Sequence, residues 1–310
     1  FMGSPDFAVA SLKALIERGL KVVAVVTQPD KPAGRGLRLT APPVKEYALT
    51  LGLPILQPVQ LKGEDCFREL SALRPDLLVV AAYGQLLPGR FLGIPTLAPI
   101  NVHASLLPRW RGAAPIAWPI IEGDTETGIT IMRIIRPMDA GEIILQQATP
   151  ILPDDTAGSL HDRLKELGAR CLLEAIELLR SGRARLIPQD ESLVTYAPPL
   201  KTETARLDWT MPAHRCSGRI RGLNPWPGAF TTFRGQICKL WRAESAEPPP
   251  GIGPAEVRPG RLCVFSRRLL VQGGDGGWLR LNSLQMAGRS PVSGEQFVTG
   301  ARLGEEEQFD

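Results

Sequence analysis

The sequence predicts an α/β protein, with a parallel β-sheet domain covered by helices on both faces, followed by a smaller β-barrel or sandwich. Residues 1–150 alternate apolar, β-rich runs with amphipathic helical stretches. Nearly continuous apolar strands are typical of parallel sheets buried on both faces. From about residue 205, short strand-like segments alternate with Gly/Pro turns, which is typical of small barrels and sandwiches. The length of 310 residues also favours two domains over one core.

The elements of the first domain follow in order. "FMGSPDFAVASLKALIERGL" predicts a strand end, a turn and a helix, with Ser4 as N-cap and Pro5 at the first helical position. A long amphipathic helix is predicted over 156–182, where Gly182 ends it. The apolar runs predict strands at 20–28, 76–84, near residue 100, 128–135 and 142–150.

A polar, proline-broken stretch follows the long helix and is typical of a linker. Beyond it, segments such as "GAFTTFRGQICKLWRA" and "GRLCVFSRRLLVQ" have the length and spacing of short strands. We therefore predict a catalytic domain over 1–182, a linker over 183–204 and a β-domain over 205–310.

Charge and cysteine usage limit the class of protein. The net charge is +4, and residues 201–300 contain 14 Lys/Arg against 7 Asp/Glu. A basic second half is typical of a polyanion-binding protein, although a solvated surface gives the same pattern. The five cysteines are scattered without a CxxC pair, which indicates buried thiols in a reducing compartment.

Targeting signals are not evident in the sequence. No stretch approaches the roughly 18 apolar residues needed to cross a bilayer, so we expect no membrane partner. No secretory signal precedes the first helix, and a first strand ending at "FM" has a truncated pattern. We expect a cytoplasmic protein.

The candidate site begins in "INVHASLLPRWRG" (100–112), where an apolar run ends. Asn101 and His103 are two residues apart, so on extended backbone they point to the same side. Parallel sheets bind ligands beyond the carboxyl ends of their strands. An amide and an imidazole there can stabilise an oxyanion, and imidazole exchanges protons near neutral pH. Asp139, in the later loop "RPMDAGEII", can orient the histidine or relay a proton.

Non-catalytic interpretations of these residues remain open at this point. An Asn or a His at a strand end is commonly a turn former or a cap. Ser105 lies near His103, but the GxSxG elbow of a serine hydrolase is absent. His161 and His214 have no metal-ligand spacing, so we predict no metal site. No GxGxxG occurs, so a dinucleotide site is not supported.

Longer motifs carry a family resemblance. "NVHASLLPRWRGAAPI" followed by "GITIMRIIRPMDAGEII" resembles the folate-dependent formyltransferase family. "GSPDFA", "TQPDKPAGRG", "LVTYAPPLKTETARLDW" and "NPWPGAF" resemble the tRNA-modifying branch of that family, and the similarity runs over nearly the whole chain. The resemblance implies a Rossmann-like catalytic domain followed by an OB-like β-barrel domain.

The resemblance also implies an activity. A formyl group would pass from the co-substrate 10-formyltetrahydrofolate to the α-amino group of methionine esterified to initiator tRNA. Asn101 and His103 would stabilise the tetrahedral oxyanion, and Asp139 would help to move the proton from the attacking to the leaving nitrogen. Neither a metal nor a covalent enzyme intermediate is implied.

The binding residues implied by the resemblance fall into two sets. The basic, Gly/Pro-rich loop "QPDKPAGRGLRLTAPPVK" (28–45) is longer than a usual strand–helix connection, which indicates a functional loop. In the family this loop meets the acceptor arm of the tRNA, and the basic β-domain contacts phosphates. A monomer of bacterial cytoplasmic type is expected. The folate set is Tyr83, Gly84, Leu86, Leu87, Ser105, Leu106, Leu107 and Pro108, beside the Asp139–Glu142 loop. The tRNA set is Lys31, Arg35, Arg38 and Lys45.

Three alternatives share parts of this pattern. A formyltransferase acting on a small amine, such as an amino-sugar nucleotide or glycinamide ribonucleotide, would use the same three residues but would not need a basic loop and a basic β-domain. A formyltetrahydrofolate hydrolase would replace the amine with water. A non-catalytic RNA-binding protein would not need an intact Asn101, His103 and Asp139.

Overall fold

The computed structural model describes residues 1–33, 36, 38–253, 256–304 and 307–310. The chain forms two compact units whose segments alternate along the sequence. Unit 1 comprises Phe1–Pro115, Thr127–Pro150 and His161–Ala197, and unit 2 comprises Ile116–Glu126, Ile151–Leu160 and Pro198–Asp310. The boundaries at residues 182 and 205 stay a prediction about independently folding domains.

The first part of the chain alternates strands and helices. The strands are β1 Met2–Gly3, β2 Val25–Val26, β3 Lys31–Ala33, β4 Arg38–Thr40, β5 Ile55–Leu56, β6 Leu77–Ala81, β7 Ala98–His103, β8 Arg111–Gly112, β9 Glu126–Arg133, β10 Ile143–Pro150 and β11 Tyr196–Ala197. The helices are α1 Asp6–Glu17, α2 Pro43–Thr50, α3 Glu64–Ala72, α4 Ala117–Glu122 and α5 Ala157–Arg180. Short 3-10 helices lie at Gly89–Gly93, Glu191–Leu193 and Glu203–Ala205.

The main sheet has the strand order β10-β9-β7-β6-β1-β2-β5. The pairs β5–β2, β2–β1, β1–β6 and β6–β7 are parallel, which confirms the predicted parallel sheet. β9 instead runs antiparallel to β7, with Asn101 opposite Met132 and His103 opposite Thr130. Its residues Gly128 to Met132 are all buried, and a continuous apolar run carries no information about strand direction.

Two local expectations need correction. α1 begins at Asp6 with Pro5 as its N-cap residue, so neither Ser4 nor Pro5 has the predicted position. The Ser4 hydroxyl instead accepts a hydrogen bond from the Gln28 backbone N–H, at 2.9 Å, because Ser4 directly follows β1 and Gln28 lies just beyond the adjacent strand β2. Of the strand predicted over 20–28, only Val25–Val26 forms a strand, beside the equally short β1.

The second unit is built on an antiparallel sheet. It includes α4, and its further elements are α6 Ala213–Gly222, β12 Phe230–Phe233, β13 Gln236–Ala246, β14 Leu262–Phe265, β15 Arg268–Gln272, β16 Trp278–Met286, β17 Val292–Ser293 and α7 Gly294–Ala301. The strand order is β12-β13-β16-β15-β14, and β17 pairs with β16. Leu240, Leu279, Leu281 and Leu284 lie fully buried in its core with the aromatic pair Trp209 and Phe309, whose ring centroids are 5.6 Å apart.

The tail at residues 307–310 joins the two edges of this sheet. On one side, the Asp310 N–H donates to the Thr232 carbonyl in β12. On the other, the Leu262 N–H in β14 donates to the Glu307 carbonyl. The predicted OB-like β-barrel domain is therefore an antiparallel half-barrel whose exposed edges are covered by the last residues of the chain.

The described part of the chain contains no helix long and apolar enough to cross a membrane. All five cysteines are unpaired thiols. Cys66, Cys171, Cys216 and Cys238 are buried as predicted, whereas Cys263 is partly exposed near the sheet edge. Burial raises the pKa of the Cys238 thiol to about 12.

Candidate active site

The strand β7 ends with two of the predicted site residues, Asn101 and His103, on one face. β7 pairs with β6 in parallel, with Val80 opposite Asn101, so both strands deliver their carboxyl ends to one edge of the sheet. His103 is only 5% exposed, whereas Asn101 is partly exposed. Within the described residues, the Asn101 side-chain amide has no hydrogen-bond partner. Its two N–H groups are therefore available to a ligand oxygen.

The hydrogen bonds of His103 fix its tautomer. Its Nε2 lies 3.0 Å from the Trp110 carbonyl oxygen, which can only accept, so Nε2 carries the proton and donates it. Nδ1 then holds a lone pair in the neutral ring. It faces Asp139 Oδ2 at 3.8 Å, a separation too long for a direct hydrogen bond. The ring therefore presents its basic nitrogen towards the carboxylate.

The Asp139 carboxylate is held by the backbone of a neighbouring loop. Its Oδ2 accepts a hydrogen bond from the Gly112 N–H at 2.9 Å. Gly112 has φ +123°, and a Cβ there would lie 2.8 Å from the Ala197 carbonyl oxygen, so only glycine fits. Asp139 itself has φ +53°, a backbone conformation that must be held by its surroundings. The structure thus brings His103 and Asp139 together.

Gln189 provides part of that support. Its Nε2 donates to the carbonyl oxygens of Asp139 and Gly141, both at 2.8 Å. Its Oε1 accepts from Arg111 Nε and Nη2 at 3.0 and 2.7 Å. Arg111 is 4% exposed and also pairs with Glu191, at 2.8 Å. One amide therefore joins the loop that carries Asp139 to the loop that carries Trp110 and Gly112.

Gln189 was not predicted as a site residue because it lies in the polar stretch over 183–204 that has the pattern of a linker. That stretch packs on the site through backbone pairing: β11 runs parallel to β8, and the Arg111 N–H donates to the Thr195 carbonyl at 2.9 Å. A polar segment with few apolar residues gives no periodic signal for this role. The Pro-Gln pair before an acidic cluster was the only local cue.

The segment Ser105–Pro108 follows β7 and is held by two residues that the sequence analysis did not identify. The Thr130 hydroxyl donates to the Ser105 carbonyl at 2.6 Å and accepts from the Leu107 N–H at 3.1 Å. The Gln146 amide donates to the Leu107 carbonyl at 2.7 Å. Thr130 and Gln146 belong to β9 and β10, so the sheet itself fixes this loop.

Within that segment the predicted folate residues are not equivalent. The Ser105 hydroxyl is fully buried and donates to the Arg109 carbonyl at 2.7 Å. Leu107 is 3% exposed and belongs to a small apolar cluster with Met132 and Ile143. Leu106 and Pro108 are partly exposed and can contact a ligand.

The other predicted folate segment follows β6. Tyr83 is buried in the apolar core around Phe91, and this burial raises the pKa of its phenol to about 12. Its hydroxyl has no hydrogen-bond partner among the described residues. Gly84 has φ +85°, and Leu86 is 74% exposed. Leu87 packs against the same core and is partly exposed.

The basic loop forms a hairpin in which β3 and β4 pair antiparallel. Lys31 and Arg38 are exposed on it, whereas Arg35 lies outside the described residues. Lys45, in α2, is different because its ammonium lies 2.8 Å from both oxygens of Asp30. Hydrogen bonds from Gln57 and Lys45 hold the pKa of the Asp30 carboxyl below its usual range. The charge of Lys45 is therefore already paired.

One group of potential metal ligands occurs in the described part of the chain, namely Asp6, His161 and Asp162. The Lys165 ammonium lies 2.7 Å from Asp6 and 3.0 Å from Asp162. The Lys165 ammonium therefore occupies the position beside these carboxylates that a metal ion would need.

Comparisons with known proteins identify the family of the chain. The family model "Formyl transferase" matches residues 1–176, and "Formyl transferase, C-terminal domain" matches residues 199–302. Among the relatives, a methionyl-tRNA formyltransferase of Pelotomaculum thermopropionicum is 46% identical over 305 residues, covering 98% of this chain and 96% of the relative. One of Methylobacillus flagellatus is 44% identical over 310 residues, covering 100% and 98%.

A solved structure has the same fold. The N-formyltransferase of Helicobacter canadensis, crystallised with folinic acid and dTDP-3-aminofucose, has a TM-score of 0.69 and 17% identity, covering 92% of this chain and 97% of its own. Both domain models match this chain, and the relatives have nearly the same length. The chain belongs to the formyltransferase family.

Proposed function

We propose that the protein transfers the formyl group of 10-formyltetrahydrofolate to the α-amino group of methionyl initiator tRNA. The observation that carries the chemistry is the basic Nδ1 of His103 facing the Asp139 carboxylate, with the free Asn101 amide at the same strand end. The substrate is supported by relatives named methionyl-tRNA formyltransferase, which match almost the whole chain at 46% and 44% identity.

The reaction joins one nitrogen to the formyl carbon and releases another. The free amine attacks, the carbonyl oxygen becomes an oxyanion, and the Asn101 amide donates to that oxygen. Loss of one such donor typically costs on the order of 3 kcal/mol, roughly a hundredfold in rate. The account requires no covalent enzyme intermediate and no metal ion.

We assign the proton transfer to His103 and Asp139, which replaces the oxyanion role that the resemblance implies for His103. Because Nε2 is committed to the Trp110 carbonyl, Nδ1 accepts the proton that the attacking nitrogen releases. The resulting imidazolium lies 3.8 Å from Asp139, whose carboxylate stabilises it and whose own position is fixed by the Gly112 N–H. The proton then passes to the leaving N10 of the folate as the C–N bond breaks.

The folate is proposed to lie between the two segments that follow β6 and β7. Exposed or partly exposed side chains of Leu86, Leu87, Leu106 and Pro108 supply apolar contacts. Tyr83, Gly84, Ser105 and Leu107 contribute through their backbone, because their side chains are buried or absent. The Asp139–Glu142 loop closes the same edge.

The tRNA is proposed to approach through the hairpin β3–β4. Lys31 and Arg38 are exposed cations on it, and Arg35 in the same loop is the third proposed contact. Lys45 supports this loop by holding Asp30 and contacts phosphate only if that ion pair opens. The basic second half of the chain adds diffuse phosphate contacts.

Incubation with [14C]formyl-labelled 10-formyltetrahydrofolate tests the proposal. With methionyl initiator tRNA we expect label in the aminoacyl ester, and with the uncharged tRNA none. Label transferred only to an amino-sugar nucleotide or to glycinamide ribonucleotide would support the small-amine alternative. The Helicobacter enzyme of the same fold was crystallised with such a sugar nucleotide, which is why this substrate is included. Free formate without transfer would indicate a hydrolase, and tRNA binding without turnover a binding protein.

We also infer a monomer that works in the cytoplasm. The unpaired thiols favour a reducing compartment. Light scattering that gives a mass of 33.7 kDa supports the monomer, and twice that mass contradicts it.

A further inference from the structure

The loop after α6, with sequence LNPWPG at residues 223–228, is tied down along its length. The Asn224 side-chain amide donates to the Trp241 carbonyl at 2.7 Å, and the Gly228 N–H donates to the Leu223 carbonyl at 2.8 Å. The Lys239 ammonium donates to the Pro227 carbonyl at 3.1 Å. These bonds fix the loop on the outer face of β13.

One side chain of this fixed loop projects into solvent. Trp226 is 62% exposed, and within the described residues its ring makes no hydrogen bond and no contact with another ring. Pro225 and Pro227 flank it and restrict the backbone on both sides. A large aromatic side chain on a rigid support loses little entropy when it binds a ligand. None of the hydrogen bonds that hold the loop involves the Trp226 side chain.

The neighbouring strand extends the feature. The pairing of β13 with β16 is irregular between Leu240 and Ala243, and such a bulge re-aims side chains. As a result Leu240 and Ala243 point into the core, whereas Trp241 and Arg242 both lie on the outer side. Arg242 is exposed and has no ion pair within the described chain.

Lys239 completes the surface. Its ammonium lies 5.4 Å from the centre of the Trp241 ring, and a Cβ added to Gly228 would meet both side chains. Lys239 uses one of its three donors on Pro227 and keeps two. We name Trp226, Lys239, Trp241 and Arg242 the Trp226 surface. It combines an unused aromatic face with two cations.

We propose that the Trp226 surface binds an unpaired base of the RNA substrate, with the base stacked on Trp226 and its phosphate held by Arg242 or Lys239. Aromatic faces interleaved with cations are the usual receptors of unpaired nucleotides, whereas base-paired stems expose no base face. The proposal rests on the proposed function for the identity of that RNA. The base is assigned to the D loop or the anticodon loop of the tRNA, where bases are unpaired.

Binding and turnover of two RNAs test the proposal. Fluorescence anisotropy and initial rates are measured with full-length methionyl-tRNA and with a charged acceptor-stem minihelix that has no D or anticodon loop. Trp226→Ala should weaken binding of full-length tRNA by roughly 5- to 100-fold, and Trp226→Phe should restore most of it. Minihelix affinity should stay within twofold for both variants.

A matched control lies on the same sheet. Phe265, in β14, is 45% exposed, so Phe265→Ala removes a comparable aromatic side chain without touching the Trp226 surface. It should leave both affinities unchanged. Arg242→Ala should weaken full-length tRNA binding at low salt and lower the salt dependence by about one phosphate contact.

Two results would overturn the proposal: unchanged tRNA affinity in Trp226→Ala, or an equal loss for tRNA and minihelix. Circular dichroism checks that the variants fold. Failure of the wild-type protein to formylate methionyl-tRNA is a separate outcome, and it would refute the proposed function. A Trp226-dependent affinity for full-length tRNA would in that case still support an RNA-binding surface.

Discussion

Gln189→Ala is the substitution from which we expect the most information about the site. It removes the amide that donates to the Asp139 and Gly141 carbonyls and accepts from Arg111. The Asp139 carboxylate keeps its hydrogen bond from the Gly112 N–H, but the backbone of Asp139, at φ +53°, loses the restraint on its carbonyl. The expected consequence is a displaced carboxylate opposite His103.

The magnitude follows from the bonds that are lost. Two neutral hydrogen bonds contribute about 1 kcal/mol each, and a buried guanidinium deprived of an acceptor costs roughly 1.5–3 kcal/mol. Glu191, whose carboxylate is 71% exposed, remains bonded to Arg111. This remaining ion pair reduces the cost of the lost acceptor. We expect a loss of about 3 kcal/mol in the free energy of unfolding. Misplacement of Asp139 should lower kcat by about 10- to 100-fold.

Gln189→Glu separates the two functions of the amide. The new carboxylate still accepts from Arg111, but it cannot donate to the two carbonyls. Urea unfolding should therefore show a smaller loss of stability than in Gln189→Ala, while initial rates of formyl transfer should show a similar loss of kcat. KM for the folate should change less than kcat in both variants. A Gln189→Glu enzyme with wild-type kcat would refute the positioning role.

Three further predictions concern the pocket wall and the basic loop. Tyr83→Phe removes a buried hydroxyl without a partner, so the free energy of unfolding should rise by about 1 kcal/mol at neutral pH. Since burial raises the pKa of this phenol from 10.0 to about 12, wild-type stability should fall as the pH rises through that interval, and urea unfolding of the phenylalanine variant should lack that component. Thr130→Val removes the hydroxyl that bonds the Ser105 and Leu107 backbone. Calorimetry should show folate affinity lowered by roughly 10-fold and the free energy of unfolding lowered by about 2 kcal/mol. Unchanged folate affinity would show that Thr130 does not support the pocket. Arg38→Ala should reduce the slope of log K against log salt for tRNA by about 1, whereas Lys45→Ala should leave the slope unchanged because Asp30 already pairs with that ammonium; equal slopes for the two variants would contradict this assignment.

Much of the fold was predictable because its signals are local. The apolar runs at 76–84 and near residue 100 become β6 and β7, and the helix expected over 156–182 is α5 at Ala157–Arg180. The direction of β9 was not predictable, because a strand buried on both faces has the same apolar pattern whichever way it runs. The tail at 307–310, which covers two sheet edges, has too few residues to carry a period.

In the candidate site, the residues that sequence alone could propose are those whose type suggests chemistry. Asn101 and His103 are marked by polarity at the end of an apolar strand, and Asp139 by its turn. Gln189, Thr130 and Gln146 were not found, because each acts through carbonyls of residues distant in sequence. Lys45 is the opposite case: composition suggests a free cation, and only the structure reveals that Asp30 pairs with it. A count of Lys and Arg residues in the sequence therefore does not show which of them are free to contact RNA.

The role of the Asn101 amide as a donor to the oxyanion at the end of β7 is best measured by single-turnover transfer with Asn101→Ala. With preformed complexes of enzyme, 10-formyltetrahydrofolate and methionyl-tRNA, we expect a transfer rate lowered by roughly 100-fold or more, and folate and tRNA affinities within a few-fold of wild type. A wild-type transfer rate, or a loss wholly explained by weaker binding of the folate, would contradict it.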